Sequence, residues 1–212
     1  MNRALAKPHL RVIGVDDGAF RRTDRTAPLA AVVLSSPQDV EAVLLGEVTV
    51  DGTDATATII RMLKGSSHLV GARALLVDGV AVGGFNVLDL AALSRRLGLP
   101  VVSVTRRPPD FPRIRAALAK YFPRDFRRRW SRIRAFPLFP IPTLGRPILA
   151  SAVGCTRREA TALVQRLAVR GYWPEPLRLA HLIAHAAGTS GVAKRGTGKT
   201  IIAPADLASA GL

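Results

Sequence analysis

The chain has 212 residues, 48% of them hydrophobic, and a formal net charge of +16; its mean hydropathy is +0.20. That apolar content excludes a disordered chain, and the lack of any apolar run near the ~20 residues a bilayer requires excludes a membrane-spanning one. The basic excess predicts a polyanionic partner, nucleic acid ahead of anionic membrane.

One domain is expected over residues 1–190, followed by a basic, flexible tail over 191–212. Residues 10–18 predict a strand through Val12, Ile13 and Val15, ended by Asp16-Asp17-Gly18. Residues 28–35 and 42–50 predict two more, the second ended by Asp51-Gly52, and the short links allow an antiparallel meander. Asp54 is placed as the N-cap of a helix with Ile59, Ile60 and Leu63 on one face. Ala72 to Val77 predicts a strand bounded by Asp78-Gly79, and Leu90, Leu93 and Leu97 predict a helix closed by Gly98, with Asp89 solvated on it. Val101, Val102 and Val104 predict another strand. Ile114, Ala117, Leu118 and Tyr121 then mark the apolar face of a helix entered through Pro112.

That strand–helix–strand–helix order implies parallel strands with right-handed crossovers. Residues 123–149, rich in Pro, Arg and Phe, read as a connection with extended pieces. Ile148 to Val153 predicts a further strand, and Thr156 caps a helix carrying Ala160, Leu163, Val164 and Leu167. A last helix starts at Pro174-Glu175-Pro176, where early proline is tolerated, and runs to about Gly188. The fold class is α/β, a mixed sheet with an antiparallel meander first and parallel strands later, flanked by helices. The single Cys155 excludes an internal disulfide and reads as a small buried residue at a strand end. With no secretory signal, it fits a reducing cytoplasm.

Three apolar strands therefore run into aspartate. Carboxylates are costly to bury, and clustering them is offset most directly by a hard cation such as Mg²⁺ or Mn²⁺, which takes oxygen ligands. Ligands of open α/β sheets gather beyond the carboxyl ends of strands. Asp16 and Asp78 meet that condition if their strands are adjacent and parallel. Asp51 leaves a strand that can run the other way, and Asp54 is the alternative third ligand; the choice stays open. Asp17 is a second ligand or a turn residue, since Asp-Gly after a strand is also ordinary turn chemistry. Two such cations on a phosphate activate water and stabilise the leaving oxygen, which points to phosphodiester hydrolysis.

Val12-Ile13-Gly14-Val15-Asp16-Asp17-Gly18-Ala19-Phe20, Val50-Asp51-Gly52-Thr53-Asp54-Ala55-Thr56 and Gly84-Phe85-Asn86-Val87-Leu88-Asp89 resemble the archaeal endonuclease dU family. That family is related to endonuclease V, a deaminated-base repair nuclease with a ribonuclease-H-like fold. Asp16 matches the first catalytic aspartate of endonuclease V, and Asp78 matches the end of its central Val-Asp-Gly strand. Pro100 to Arg106 matches its next strand, with Arg106 in a lysine's place. Pro174-Glu175-Pro176-Leu177-Arg178-Leu179-Ala180-His181 matches its final helix, which puts His181 at the metal site. The catalytic Glu and the lesion-reading Pro-Tyr-Ile-Pro-Gly stretch of endonuclease V are absent, so Asp54 or Asp51 must replace the former. The resemblance implies a metal-dependent DNA endonuclease cutting at or near a deaminated base such as deoxyuridine, in DNA repair. A non-catalytic nucleic-acid-binding protein, or a structure- or RNA-directed nuclease of the same fold, is the alternative.

Residues 106–134 hold 11 Arg or Lys against two Asp, and neutralising phosphates drives sequence-independent affinity. Arg106, Arg107, Arg127, Arg128, Arg129 and Trp130 are the candidate DNA contacts, with Phe126, Tyr121 and Trp130 able to stack on a base. His185 shares a helix face with His181, but its spacing alone carries no role. Ala193 to Thr200 resembles a phosphate-binding loop yet lacks the preceding apolar strand that motif needs, so it reads as a chance match.

Overall fold

A computed structural model describes residues 10–36, 39–190 and 201–202. Val12–Asp17 (β1), Thr26–Ser36 (β2) and Asp39–Thr49 (β3) form the expected antiparallel meander. Helix Ala55–Lys64 (α1) leads to Ala74–Asp78 (β4), which pairs in parallel with β1. A small hairpin, Ala81–Val82 (β5) with Asn86–Val87 (β6), precedes helix Leu90–Leu97 (α2). Gly98 closes that helix at φ 68°, a left-handed conformation that suits glycine. Val101–Thr105 (β7) lies parallel to β4.

Helices Phe111–Tyr121 (α3) and Phe126–Ile133 (α4) follow, then Phe139–Ile141 (β8) and Ile148–Val153 (β9). β9 runs antiparallel to both β7 and β8. Arg157–Leu167 (α5) starts with a capping box between Thr156 and Glu159, and Glu175–Ser190 (α6) ends the helices. Ile201–Ile202 (β10) pairs with Leu44 and Val43 of β3. The rest of the expected tail, including the phosphate-loop-like segment 193–200, lies outside the described residues. The sheet order is β10-β3-β2-β1-β4-β7-β9-β8. Among the described residues no helix is long and apolar enough to cross a membrane.

β1 is central and buried on both faces, which is why its sequence is a continuous apolar run without alternation. Ile13 and Val15 pack with Ile59 and Leu63 of α1 and Leu93 of α2. Val12 packs on the opposite face with Leu163 of α5 and Leu177 and Ala180 of α6. The two-residue period of a strand then sends Asp16 to the α6 face and Asp17 to the other.

α6 can lie this close because β1 offers glycine. A Cβ on Gly14 would sit 2.6 Å from Pro176 Cβ, and one on Gly18 would overlap the Ala184 carbonyl. Several local expectations are corrected. Residues 126–133 are helical instead of extended. Asp54 makes no side-chain cap; the Ala55 amide donates to Asn86 Oδ1 instead, because Asp54 faces Thr49 and Asn86. Asp89 precedes α2 as its cap, accepting from the Ala92 amide, and pairs with Arg132. Tyr121 is 56% exposed and is not core. Cys155 is half-buried, and burial pushes its thiol up to about 11, so it is a poor nucleophile.

Candidate active site

β1 and β4 pair Val15 with Val77, so one step further the two parallel strands set Asp16 beside Asp78. β7 continues the layer: Asp78 is level with Val104, and two residues on, Arg106 Nη1 donates to Asp78 Oδ2 at 3.1 Å. The Arg106 guanidinium lies 3.8 Å from the centre of the Trp173 ring, which comes from the loop before α6. From α6 itself, His181 Nδ1 meets Asp16 Oδ2 at 2.9 Å. Residues from four separate segments thus converge at one end of the sheet.

Asp16 is 3% exposed. Burial first, then the carboxylates of Asp78 and Asp17, push its pKa up to about 8. Asp17 and Asp78 are raised as well, burial leading in both; Arg106 and His181 oppose the shift at Asp78. Burial and neighbouring like charge both raise a carboxyl's pKa, and both act on Asp16, a combination that recurs at functional sites. Asp17 Oδ2 accepts from the Gly83 amide at 2.9 Å, which ties the site to the turn before β6.

The donor set fits a hard divalent ion in kind: three carboxylates on neighbouring strand ends, with an imidazole beside them. As placed, these side chains bond to one another and to Arg106. Among the described residues no group of three or more His, Cys, Asp or Glu is arranged to hold an ion.

Asp51 and Asp54 serve a neighbouring turn. Asp51 stands at φ 55°, and its Oδ1 accepts from the Phe85 amide at 2.8 Å. Its own amide donates to Gly83 O at 2.8 Å. Asp54 accepts from Thr49 Oγ1 at 2.9 Å and from Asn86 Nδ2 at 2.6 Å, hydrogen bonds that hold its carboxyl below the usual range despite burial. The structure therefore brings Asp16, Asp78 and His181 together and gives Asp51 and Asp54 hydrogen bonds to the turn.

The arginine stretch divides. Arg129 is buried, its guanidinium donating to the carbonyls of Asp51, Gly52 and Phe85, so its expected place on a DNA-facing surface is corrected. Arg107, Arg127 and Arg128 are exposed, Arg128 pairing with Asp125 at 2.8 Å. Trp130 is half-buried, edge-on to Phe111 at 6.2 Å. His185 stacks loosely on His181, ring centres 6.2 Å apart.

Two features escaped the sequence reading. Trp173 seats Arg106, and its one signal is a tryptophan immediately ahead of Pro-Glu-Pro. The other is an apolar pocket of about 220 Å³ that begins at Gly79, directly after Asp78, is walled by Phe85, Phe111 and Phe136, and includes Ser103 and Ser151. Its walls come from five separate stretches of chain, which no local pattern joins.

The family model for endonuclease dU matches residues 8–188. A UPF0215 protein of Methanosarcina barkeri is 39% identical over 179 residues, 84% of this chain and 90% of that protein. A crystal structure of an Archaeoglobus fulgidus protein superposes with TM-score 0.75 at 32% identity, covering 84% of this chain and 97% of that one. Endonuclease V of Ciona intestinalis, crystallised with a 24mer DNA containing inosine followed by a ribo-adenosine, superposes with TM-score 0.58 at 15% identity. It covers 89% of this chain and 88% of its own, a likeness of fold that makes the mixed sheet described above ribonuclease-H-like.

Proposed function

The chain belongs to the endonuclease dU family, an archaeal family related to endonuclease V, and from that premise we propose that it is a divalent-metal-dependent endonuclease acting on DNA at or near a deaminated base, deoxyuridine first, in DNA repair. The observation that carries the reading is Asp16 buried beside Asp78 with His181 bonded to it. Asp16 and Asp78, with Asp17 next in reach, would hold Mg²⁺ or Mn²⁺. When bound, such an ion polarises the phosphodiester and stabilises charge on the leaving oxygen.

The chain's own groups supply the rest. An ionised Asp16 accepts from His181 Nδ1–H, which fixes the tautomer and leaves Nε2 facing outward to take a proton from water. Arg106, seated on Trp173 and exposed beside Asp78, would meet a non-bridging phosphate oxygen. The exposed Arg107, Arg127 and Arg128 contribute phosphate contacts on the approach. A base turned out of the helix would enter the apolar pocket that starts at Gly79.

Purified protein with Mg²⁺ or Mn²⁺ should cut duplexes carrying uracil, with hypoxanthine and unmodified duplexes as comparisons, and Asp78→Ala should not. Folded protein that binds DNA but cuts none of the three sinks the proposal. The Arg106–Asp78 ion pair favours a second reading, a nucleic-acid-binding protein without catalysis, in which the arginine permanently takes the place of the metal. Mn²⁺ titration separates them: affinity that depends on Asp78 belongs only to the enzyme.

A further inference from the structure

On the far side of the Gly83–Phe85 turn from the apolar pocket lies a second recess of about 600 Å³, lined by Phe20, Arg22, Asp51, Phe85, Tyr121 and Phe122. Phe85 and Gly84 line both cavities, so the turn stands as a partition between them. The recess has a packed floor. Phe122 packs on Phe85 with ring centres 5.6 Å apart and a 59° tilt, and the buried Arg129 guanidinium backs it at 4.4 Å. The three carbonyls that hold Arg129 come from the same turn and from the Asp51-Gly52 corner.

The open side is different in kind. Tyr121 is 56% exposed, with Lys120 Nζ 5.1 Å from its ring centre. Arg21, Arg22, Lys120 and Arg124 are exposed next to the lining aromatics in the chain. Four aromatic rings edged by cations are the composition of a platform for single-stranded nucleic acid: rings stack on bases and cations follow the backbone. One polar group on the wall adds a preference. Asp51 Oδ1 is taken by the Phe85 amide, and its Oδ2 has no hydrogen-bond partner among the described residues. An unpartnered carboxylate oxygen beside a stacking surface selects a base with an N–H donor.

We propose that this recess is a second nucleobase site, which stacks an unpaired base presenting an N–H donor while the apolar pocket across the turn holds the base turned out of the helix. The proposal rests on the nucleic-acid reading above but not on catalysis. Its volume falls within the roughly 300–1,000 Å³ usual for ligand sites, enough for a nucleotide and not for a folded partner.

The test uses the full chain in EDTA, so that nothing is cut, and oligonucleotides in which 2-aminopurine reports stacking by loss of fluorescence. An unpaired 2-aminopurine beside uracil should be quenched on binding, and the same base paired in an intact duplex should not. Tyr121→Ala should weaken binding to the unpaired substrate roughly tenfold, as expected for one stacked base, while Tyr121→Phe should bind like the parent. Full-strength binding and quenching by Tyr121→Ala overturns the proposal. So does an equal loss on a fully paired duplex, since that is a general backbone contact. Because no cleavage is read, Tyr121-dependent quenching upholds the recess even if the protein proves inactive as a nuclease, and cleavage with a neutral Tyr121 removes the recess alone.

Discussion

His181 and Asp16 meet at 2.9 Å although 165 positions separate them in the chain. The contact exists because Gly14 in β1 and Gly18 just after it leave no side chain where α6 crosses. If His181 takes the proton of the attacking water, His181→Ala should lower the single-turnover cleavage rate by about 10²–10⁴-fold, the usual contribution of a positioned acid or base. DNA affinity in EDTA should be unchanged, which is measured by anisotropy on the same substrate.

The two glycines give a prediction about packing. Gly18→Ala forces its methyl into the Ala184 carbonyl, an overpacking that costs roughly 1–3 kcal/mol. Denaturant unfolding should register that loss. Cleavage should fall further than stability explains, because α6 must shift and carry His181 off Asp16.

Burial raises Asp16, Asp17 and Asp78 together, and the sign of their effect on stability follows from proton counts. Above 3.8 the unfolded chain has lost these protons, while the folded protein keeps the Asp16 proton until about pH 8. The folded state then binds more protons, so the stability of metal-free protein should fall as pH rises across that window and level off above it. Asp16→Asn removes the charge that burial penalises. It should flatten the dependence and stabilise the protein at pH 8 by on the order of 1 kcal/mol, while abolishing cleavage. Added Mn²⁺ should raise the melting temperature of the parent and leave Asp16→Asn unmoved.

The central strands and most helices were legible because their apolar residues repeat at period two or near 3.6, and Asp16 and Asp78 were legible as the ends of such strands. His181 came only through the resemblance, since a lone histidine on a helix has no periodicity of its own. α4 was missed for a physical reason. Phe126, Trp130 and Ile133 fall at i, i+4 and i+7, but this short stripe is set among four arginines between proline-rich stretches; Arg129 is buried among carbonyls and Trp130 sits edge-on to Phe111. The Asp54 cap failed because Asn86, 31 positions downstream of Ala55, supplies the acceptor, and no local pattern encodes a partner that remote.

Asp54 offers a test of whether the third carboxylate has a structural or a metal-binding role. Its carboxyl is held low by Asn86 and Thr49, so the stability it adds is present above 3.8 and lost as pH falls through its lowered folded value. Asp54→Ala should therefore destabilise the protein at neutral pH by roughly 1 kcal/mol and narrow its loss of stability in acid. Mn²⁺ affinity, read by calorimetry, should match the parent. A tenfold or greater loss of Mn²⁺ affinity would return Asp54 to the metal site.

Arg129 and Arg127 lie two residues apart and should behave as opposites. Removing the fork of Arg129 strands the carbonyls of Asp51, Gly52 and Phe85, and a buried polar group left unpaired costs about 1–3 kcal/mol. Arg129→Lys keeps the charge but cannot reach all three, so unfolding should show a loss of at least about 2 kcal/mol, with the salt dependence of DNA binding unchanged. Arg127 is exposed, and Arg127→Ala should leave stability within about 0.5 kcal/mol. It should weaken DNA binding alike for every sequence and reduce the slope of log K against log salt by about 1. The reverse pattern would mean that α4 turns its other face to the nucleic acid.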